Sequence, residues 1–199
     1  MTQPTPHDNS RRRSRTSLTD PLRIDAVPVS PSGHFAGGLI GLTFCPGKKA
    51  PASLMGGQWD RDLDIDLDAV AAWQAVAVVT LIEDAELDAL QVRGLGAGVQ
   101  ARGMAWHHLP IVDGNRPDHL FEGAWATLAP TLLAHLREGR RVLVHCKGGL
   151  GRAGTVAARL LIELGMVPEL AMRCVRQHRT GAIETRTQEQ YLLAMGARQ

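Results

Sequence analysis

The sequence predicts an α/β fold, a single domain with a central, mostly parallel sheet flanked by helices on both faces. Three observations predict it. Short β-branched or apolar runs alternate with stretches of helical periodicity, the order that builds strand–helix–strand units. One such run, Arg141 to His145, passes straight into a glycine-rich turn and then an apolar, alanine-rich stretch, as a buried strand feeding a helix does. The chain has 199 residues, 44% of them apolar, enough for one ordinary core and too few for two independent ones.

Residues 1–22 are rich in Ser, Thr, Pro and Arg with few large apolar anchors, so they read as a disordered basic tail in which Arg11-Arg12-Arg13 is solvated charge. The domain is assigned to 23–199. From Ile24 to Lys49 glycine and proline dominate, with Leu39 to Phe44 the one short strand and Pro46-Gly47 the turn that ends it. Asp62 to Gln74 carries Leu63, Leu67, Val70, Ala71 and Trp73 at helical spacing, and Val76 to Ile82 follows as a buried strand. Asp84 to Val92 reads as a short helix, Met104 to Ile111 as a strand, and Pro117 to Glu138 as a long helix stopped at Gly139. After the strand Arg141 to His145 come three helices, Ala153 to Leu164, Pro168 to Arg179 and Thr185 to Ala197.

Composition narrows the function classes. Twenty-two basic against 20 acidic residues leave a net charge of +2, too balanced for a nucleic-acid surface. Cys45, Cys146 and Cys174 form no C-x-x-C pair, so neither a disulfide framework nor a zinc site is indicated, and a reducing, cytoplasmic setting is expected. The basic N-terminal stretch lacks the apolar run of an export signal, and no run of about 20 apolar residues suggests membrane insertion.

The chemistry lies in His145-Cys146-Lys147-Gly148-Gly149-Leu150-Gly151-Arg152, a nucleophile, a glycine-rich turn and an arginine between a buried strand and a helix. Backbone N–H groups of a tight loop at a helix N-terminus converge on a point, and the helix dipole there favours negative charge. Glycines permit the positive φ values and close approaches such a nest needs. A guanidinium six residues after the cysteine can grip two oxygens of one phosphoryl group, and the same field favours an anionic Cys146 nucleophile. The bland alternatives are a cysteine that merely fills the core and a turn that holds a cofactor phosphate. No complete G-x-G-x-x-G or G-x-x-x-x-G-K-[ST] run supports the second.

The loop fits the H-C-x-x-G-x-x-R signature of the cysteine phosphatase superfamily at every fixed position. Within that superfamily the chain most resembles the kinase-associated phosphatase group of dual-specificity enzymes. His107 to Asp118, Gly41-Leu42 with Pro46-Gly47, and Gly181-Ala182-Ile183-Glu184-Thr185 extend the likeness over about residues 35–195. The resemblance implies a phosphocysteine intermediate on Cys146, with Arg152 gripping the phosphoryl group. Asp113, on a loop, would protonate the leaving oxygen and then deprotonate the attacking water. Asp118 is its rival, better read as a helix N-terminal residue. The substrate-binding set is then His145, Lys147, Gly148, Gly149, Leu150 and Gly151. His145 would also order the loop, and Gln188 resembles a polar residue that positions the attacking water. One departure is that Ala153 stands where the family usually has Ser or Thr to help the thiolate leave, so slow phosphoenzyme hydrolysis is expected.

The resulting expectation is a protein phosphatase acting on phosphotyrosine and on phosphoserine or phosphothreonine, needing no metal or organic cofactor. Its partner is a phosphorylated protein or another phosphomonoester. Lys147 keeps open an inositol phosphate or phosphoinositide substrate, and Ala153 keeps open a slow-turnover phosphate-binding module.

Overall fold

In the computed structural model, which describes residues 14–29, 37–51 and 58–196, the expected sheet has five strands. They are β1 (Asp25–Pro28), β2 (Leu39–Thr43), β5 (Ala75–Thr80), β6 (Ala105–His108) and β7 (Arg141–His145) in the order β1-β2-β7-β5-β6. All neighbours are parallel except the antiparallel edge pair β1–β2. A two-stranded ribbon, β3 (Lys49–Ala50) with β4 (Trp59–Asp60), stands apart. β7 is central and fully covered, and its Val142, Leu143 and Val144 have no exposed surface, as a strand buried on both faces requires.

The described residues form seven helices, the six expected in their expected order and α3 in addition: α1 (Leu63–Ala72), α2 (Asp84–Ala89), α3 (Leu95–Ala101), α4 (His119–Arg137), α5 (Gly151–Glu163), α6 (Pro168–His178) and α7 (Arg186–Gly196). α1 and α3 pack together on β5 and β6, while α4 to α7 pack together on β1, β2 and β7, giving a helical layer on each face. α5 is buried from Gly151 to Ile162, which explains its small residues: a helix enclosed all round has no room for bulk on every side.

The structure departs from the sequence reading in five places, the first being the β3–β4 ribbon, whose two-residue strands are too short to show an alternation. β1 was not expected, because Asp25-Ala26-Val27-Pro28 has no alternation and Pro28 belongs only at a sheet edge, where it sits. α3 was hidden by Gly94, Gly96 and Gly98. Two of these are packing residues, for a Cβ on Gly96 would lie 2.5 Å from the Trp106 ring and one on Gly98 2.6 Å from Leu67. The strand expected to reach Ile111 ends at His108, ahead of Pro110. Last, the expected tail stops short of residue 22. Residues 1–13, with Arg11-Arg12-Arg13, lie outside the described residues, but Arg15 bridges to Trp59 and buried Ser17 exchanges hydrogen bonds with Asp62. Ala197, the expected end of the last helix, also lies outside them.

The register places the site. Thr43, His145 and Thr80 lie in one row at the carboxyl ends of β2, β7 and β5, so the segments after these strands meet above that edge, the usual binding position of an open parallel sheet.

Candidate active site

Cys146 is the first residue beyond β7, and the chain then turns through Lys147 to Leu150 into α5. The turn needs glycine at one point above all. Gly149 has φ +73°, and a Cβ there would lie 2.4 Å from the Thr43 carbonyl group. Gly151 is needed for close approach, since its Cβ would lie 2.4 Å from Glu184 Oε2, whereas Gly148 stands in open space.

Every carbonyl of the turn is held from outside. Lys147 O accepts from Cys45 N (3.4 Å) and Lys48 Nζ (3.3 Å). Gly148 O and Gly149 O accept from Arg179 Nη2 (3.0 Å) and Nε (3.1 Å), and Leu150 O accepts from Gly154 N (2.8 Å). With the carbonyls engaged there, Gly149 N donates to Cys146 Sγ at 3.2 Å. The N–H groups of Lys147, Gly148 and Leu150 find no acceptor among the described residues. Those donors, the α5 N-terminus and a buried sulfur make a concave, electropositive nest.

Arg152 occupies the first turn of α5 with 1% of its side chain exposed. Its terminal nitrogens meet both oxygens of Glu86 (Nη1–Oε2 2.5 Å, Nη2–Oε1 2.9 Å), and Nη1 also donates to Ile111 O at 3.0 Å. Nη2 lies 2.9 Å from Asp113 Oδ1, whose side chain is 67% exposed. Arg152 Nε is buried and has no partner among the described residues. Burial opposes the guanidinium charge, but the hydrogen bond to Glu86 and the nearby acidic groups outweigh it and hold the arginine pKa above its ordinary value. Burial likewise opposes the Glu86 charge, yet Arg152 and the Glu83 N–H leave that carboxyl below its usual range.

His145 is fully buried, with Nε2 2.8 Å from Thr80 Oγ1, which also accepts from Trp106 Nε1. Burial pushes its pKa down to about 4, so the ring is neutral near pH 7 and acts as a fixed strut. Lys147 is exposed at the rim.

Asp113 lies on the loop between β6 and α4, and that loop is fastened to the start of α7. Thr185 Oγ1 donates to Gly114 O (3.1 Å), and Gln188 Nε2 donates to Asn115 O (3.2 Å). Gln188 Oε1 accepts from the N–H groups of Glu184 and Thr185. The amide expected to position a water is thus committed to joining two loops. Asp118 is the α4 N-cap, accepting from Phe121 N at 2.9 Å, as the sequence suggested. Thr155 Oγ1 is spent on Gly151 O at 2.8 Å, so no hydroxyl from it reaches Cys146 in place of the one Ala153 lacks.

The structure therefore brings Cys146, Arg152 and Asp113 to one nest. It adds Glu86, Lys48, Arg179 and Thr80, which sequence reasoning missed. Only Glu86 left a trace, since Glu83 and Glu86 have the spacing of a capping box, and that box forms at the start of α2.

Comparison with known proteins agrees with this geometry. Residues 50–192 match the family described as PTP-SAK, Swiss Army Knife protein, DSP-PTPase phosphatase domain. Cyclin-dependent kinase inhibitor 3 of Rattus norvegicus is 30% identical over 188 residues, covering 93% of this chain and 84% of that protein. The crystal structure of kinase associated phosphatase with its catalytic-site cysteine changed to serine superposes with a TM-score of 0.77 at 29% identity, covering 89% of this chain and 96% of that one. Tk-PTP in its active form is 28% identical with a TM-score of 0.61, over 88% and 98% of the two chains.

Proposed function

We infer the role of each residue from one premise, that the chain belongs to the DSP-PTPase phosphatase domain family and is a cysteine-dependent protein phosphatase. The substrate phosphoryl group sits in the nest, its oxygens taken by the loop N–H groups and by Arg152 through Nε and, in place of Asp113, through Nη2. The buried Arg152 Nε, without a partner among the described residues and on a guanidinium that feels the Cys146 sulfur electrostatically, is the observation that carries this reading. Cys146 Sγ attacks phosphorus, the P–O bond to the substrate breaks, and Asp113 gives its proton to the departing oxygen. Water then attacks the phosphocysteine, its proton passes to the Asp113 carboxylate, and the S–P electron pair returns to Sγ.

Asp113 is suited to both steps because an incoming phosphate competes for its partner. Glu86 is 16% exposed and stays on Arg152, whereas Asp113 is the exposed carboxylate on the same guanidinium and is the one released. Glu86 is therefore a positioning residue. Gln188 and Thr185 position Asp113 through the backbone of its loop. His145 and Thr80 fix the strand end from which Cys146 projects.

The substrates are phosphotyrosine and, in dual-specificity fashion, phosphoserine and phosphothreonine on proteins. No helix among the described residues is long and apolar enough to cross a membrane, and the three cysteines are free. These features support action in the reducing cytoplasm. The test is release of nitrophenol from p-nitrophenyl phosphate and of phosphate from a phosphopeptide panel. Cys146→Ser abolishes both, and Asp113→Asn slows the phosphopeptide reaction most because its leaving group needs the proton. An Asp113→Asn enzyme with full phosphopeptide turnover refutes the acid assignment.

A further inference from the structure

A buried cation with no carboxylate to answer it stands next to the nest. Lys48 is 7% exposed, yet no acidic side chain lies within salt-bridge distance of its ammonium among the described residues. The nearby carboxylates are engaged elsewhere: Asp66 takes Arg61 in a bidentate pair and Gly47 N (2.8 Å), Asp60 faces Lys49, and Glu86 holds Arg152. Instead Lys48 Nζ lies 3.8 Å from the centre of the Trp59 ring and 4.7 Å from that of Phe44, and it donates to Lys147 O of the catalytic turn.

Its placement is enforced. Gly47 has φ +71° and would clash with Leu63 at 2.7 Å if it carried a Cβ, and Asp66 and the Arg61 N–H hold the turn on either side of it. Aromatic faces soften the burial of a cation but do not supply a negative charge. The ionisable groups whose charge acts on Lys48 are the thiols of Cys45 and Cys146 and the cations Arg61 and Lys147. Cys45 is itself fully buried and its thiol is pushed up by that burial, which leaves it neutral. Cys146, the nucleophile of the phosphatase reading, remains as the sulfur whose thiolate Lys48 can answer.

We infer that Lys48 is a positioning and charge-balancing residue of this phosphatase. It holds the Lys147 carbonyl outward and offsets the negative charge that the Cys146 sulfur carries before attack and regains when water breaks the S–P bond. The inference rests on the phosphatase reading and deepens it. It also answers the absence of a hydroxyl at Ala153, for a cation beside the loop supplies part of the stabilisation that a hydroxyl on the sulfur would give.

Burial lowers the Lys48 pKa to about 8, against smaller opposing effects of Cys45 and Cys146, so the charge is present at pH 6.5 and lost above about pH 9. The experiment compares wild type, Lys48→Met and Lys48→Arg on p-nitrophenyl phosphate from pH 6 to 10, with acid-quench measurement of phosphocysteine. At pH 6.5 Lys48→Met is expected to lose about tenfold in kcat, less in kcat/KM, and to accumulate phosphocysteine. Its kcat ratio to wild type climbs toward one above about pH 8, as the wild-type ammonium loses its proton. The ratio of Lys48→Arg to wild type rises over the same interval, because guanidinium does not titrate there. An active wild type with both ratios constant across the range overturns the role of Lys48 alone. A wild type without turnover overturns the phosphatase reading beneath it. Should Lys48→Met melt early, the Lys48→Arg ratio decides by itself.

Discussion

Glu86→Gln separates an anchoring role for this carboxylate from an incidental one. In the wild type both carboxylate oxygens face the two terminal nitrogens of Arg152, a side chain 1% exposed. A glutamine keeps one acceptor and turns an amide N–H₂ toward a guanidinium that can only donate. Removing one member of a buried pair usually costs about 3–5 kcal/mol, because the surviving charge is left uncompensated. Here Asp113 and the Ile111 carbonyl remain on Arg152, which places the loss near the lower end, about 3 kcal/mol. For a domain of this size that is a fall of about 6–12 °C in melting temperature. The assay is calorimetric unfolding of Glu86→Gln, Arg152→Met and the double variant. The Glu86 substitution should cost far less once Arg152 is gone, and kcat/KM of the single variant should fall by about 10–100-fold as the guanidinium loses its fixed orientation. A Glu86→Gln enzyme that melts within about 2 °C of wild type, with the same cost in both backgrounds, refutes the anchoring argument.

Ala153→Ser should raise kcat by about tenfold and shrink any pre-steady-state burst, by bringing a hydroxyl to the departing sulfur; stopped-flow nitrophenol release reads both, and an unchanged burst counts against the assignment. Gly149→Ala should abolish turnover and lower the melting temperature, since its φ of +73° and the Thr43 carbonyl group at 2.4 Å leave a methyl no place. Stability should fall on acidification through the burial of His145. Its folded pKa of about 4 lies below the unfolded 6.5, so the unfolded chain binds the extra proton first, and about 3 kcal/mol is lost between pH 6.5 and 4. Thermal melts across that interval should show the slope in wild type and a shallower one in His145→Asn.

What could be read from the sequence depended on whether neighbours along the chain determine it. The strands β5 and β7 were legible because burial on both faces demands unbroken β-branched and apolar runs, and Cys146 and Arg152 because one turn fixes their spacing. α3 was not, since its glycines serve Trp106 and Leu67, contacts that no local pattern announces. The same division runs through the active site. The groups that hold the loop carbonyls and the arginine come from far along the chain: the donor Lys48 stands 99 residues before Lys147, the acceptor Glu86 66 before Arg152, and the donor Arg179 30 after Gly149. An eight-residue signature therefore identifies the chemistry but does not by itself hold an oxyanion. A peptide turn of the same sequence is free to rotate its carbonyls toward a phosphate and repel it. The nest exists because Lys48, Arg179 and the backbone N–H groups of Cys45 and of Gly154 in α5 give those carbonyls a better partner on the other side.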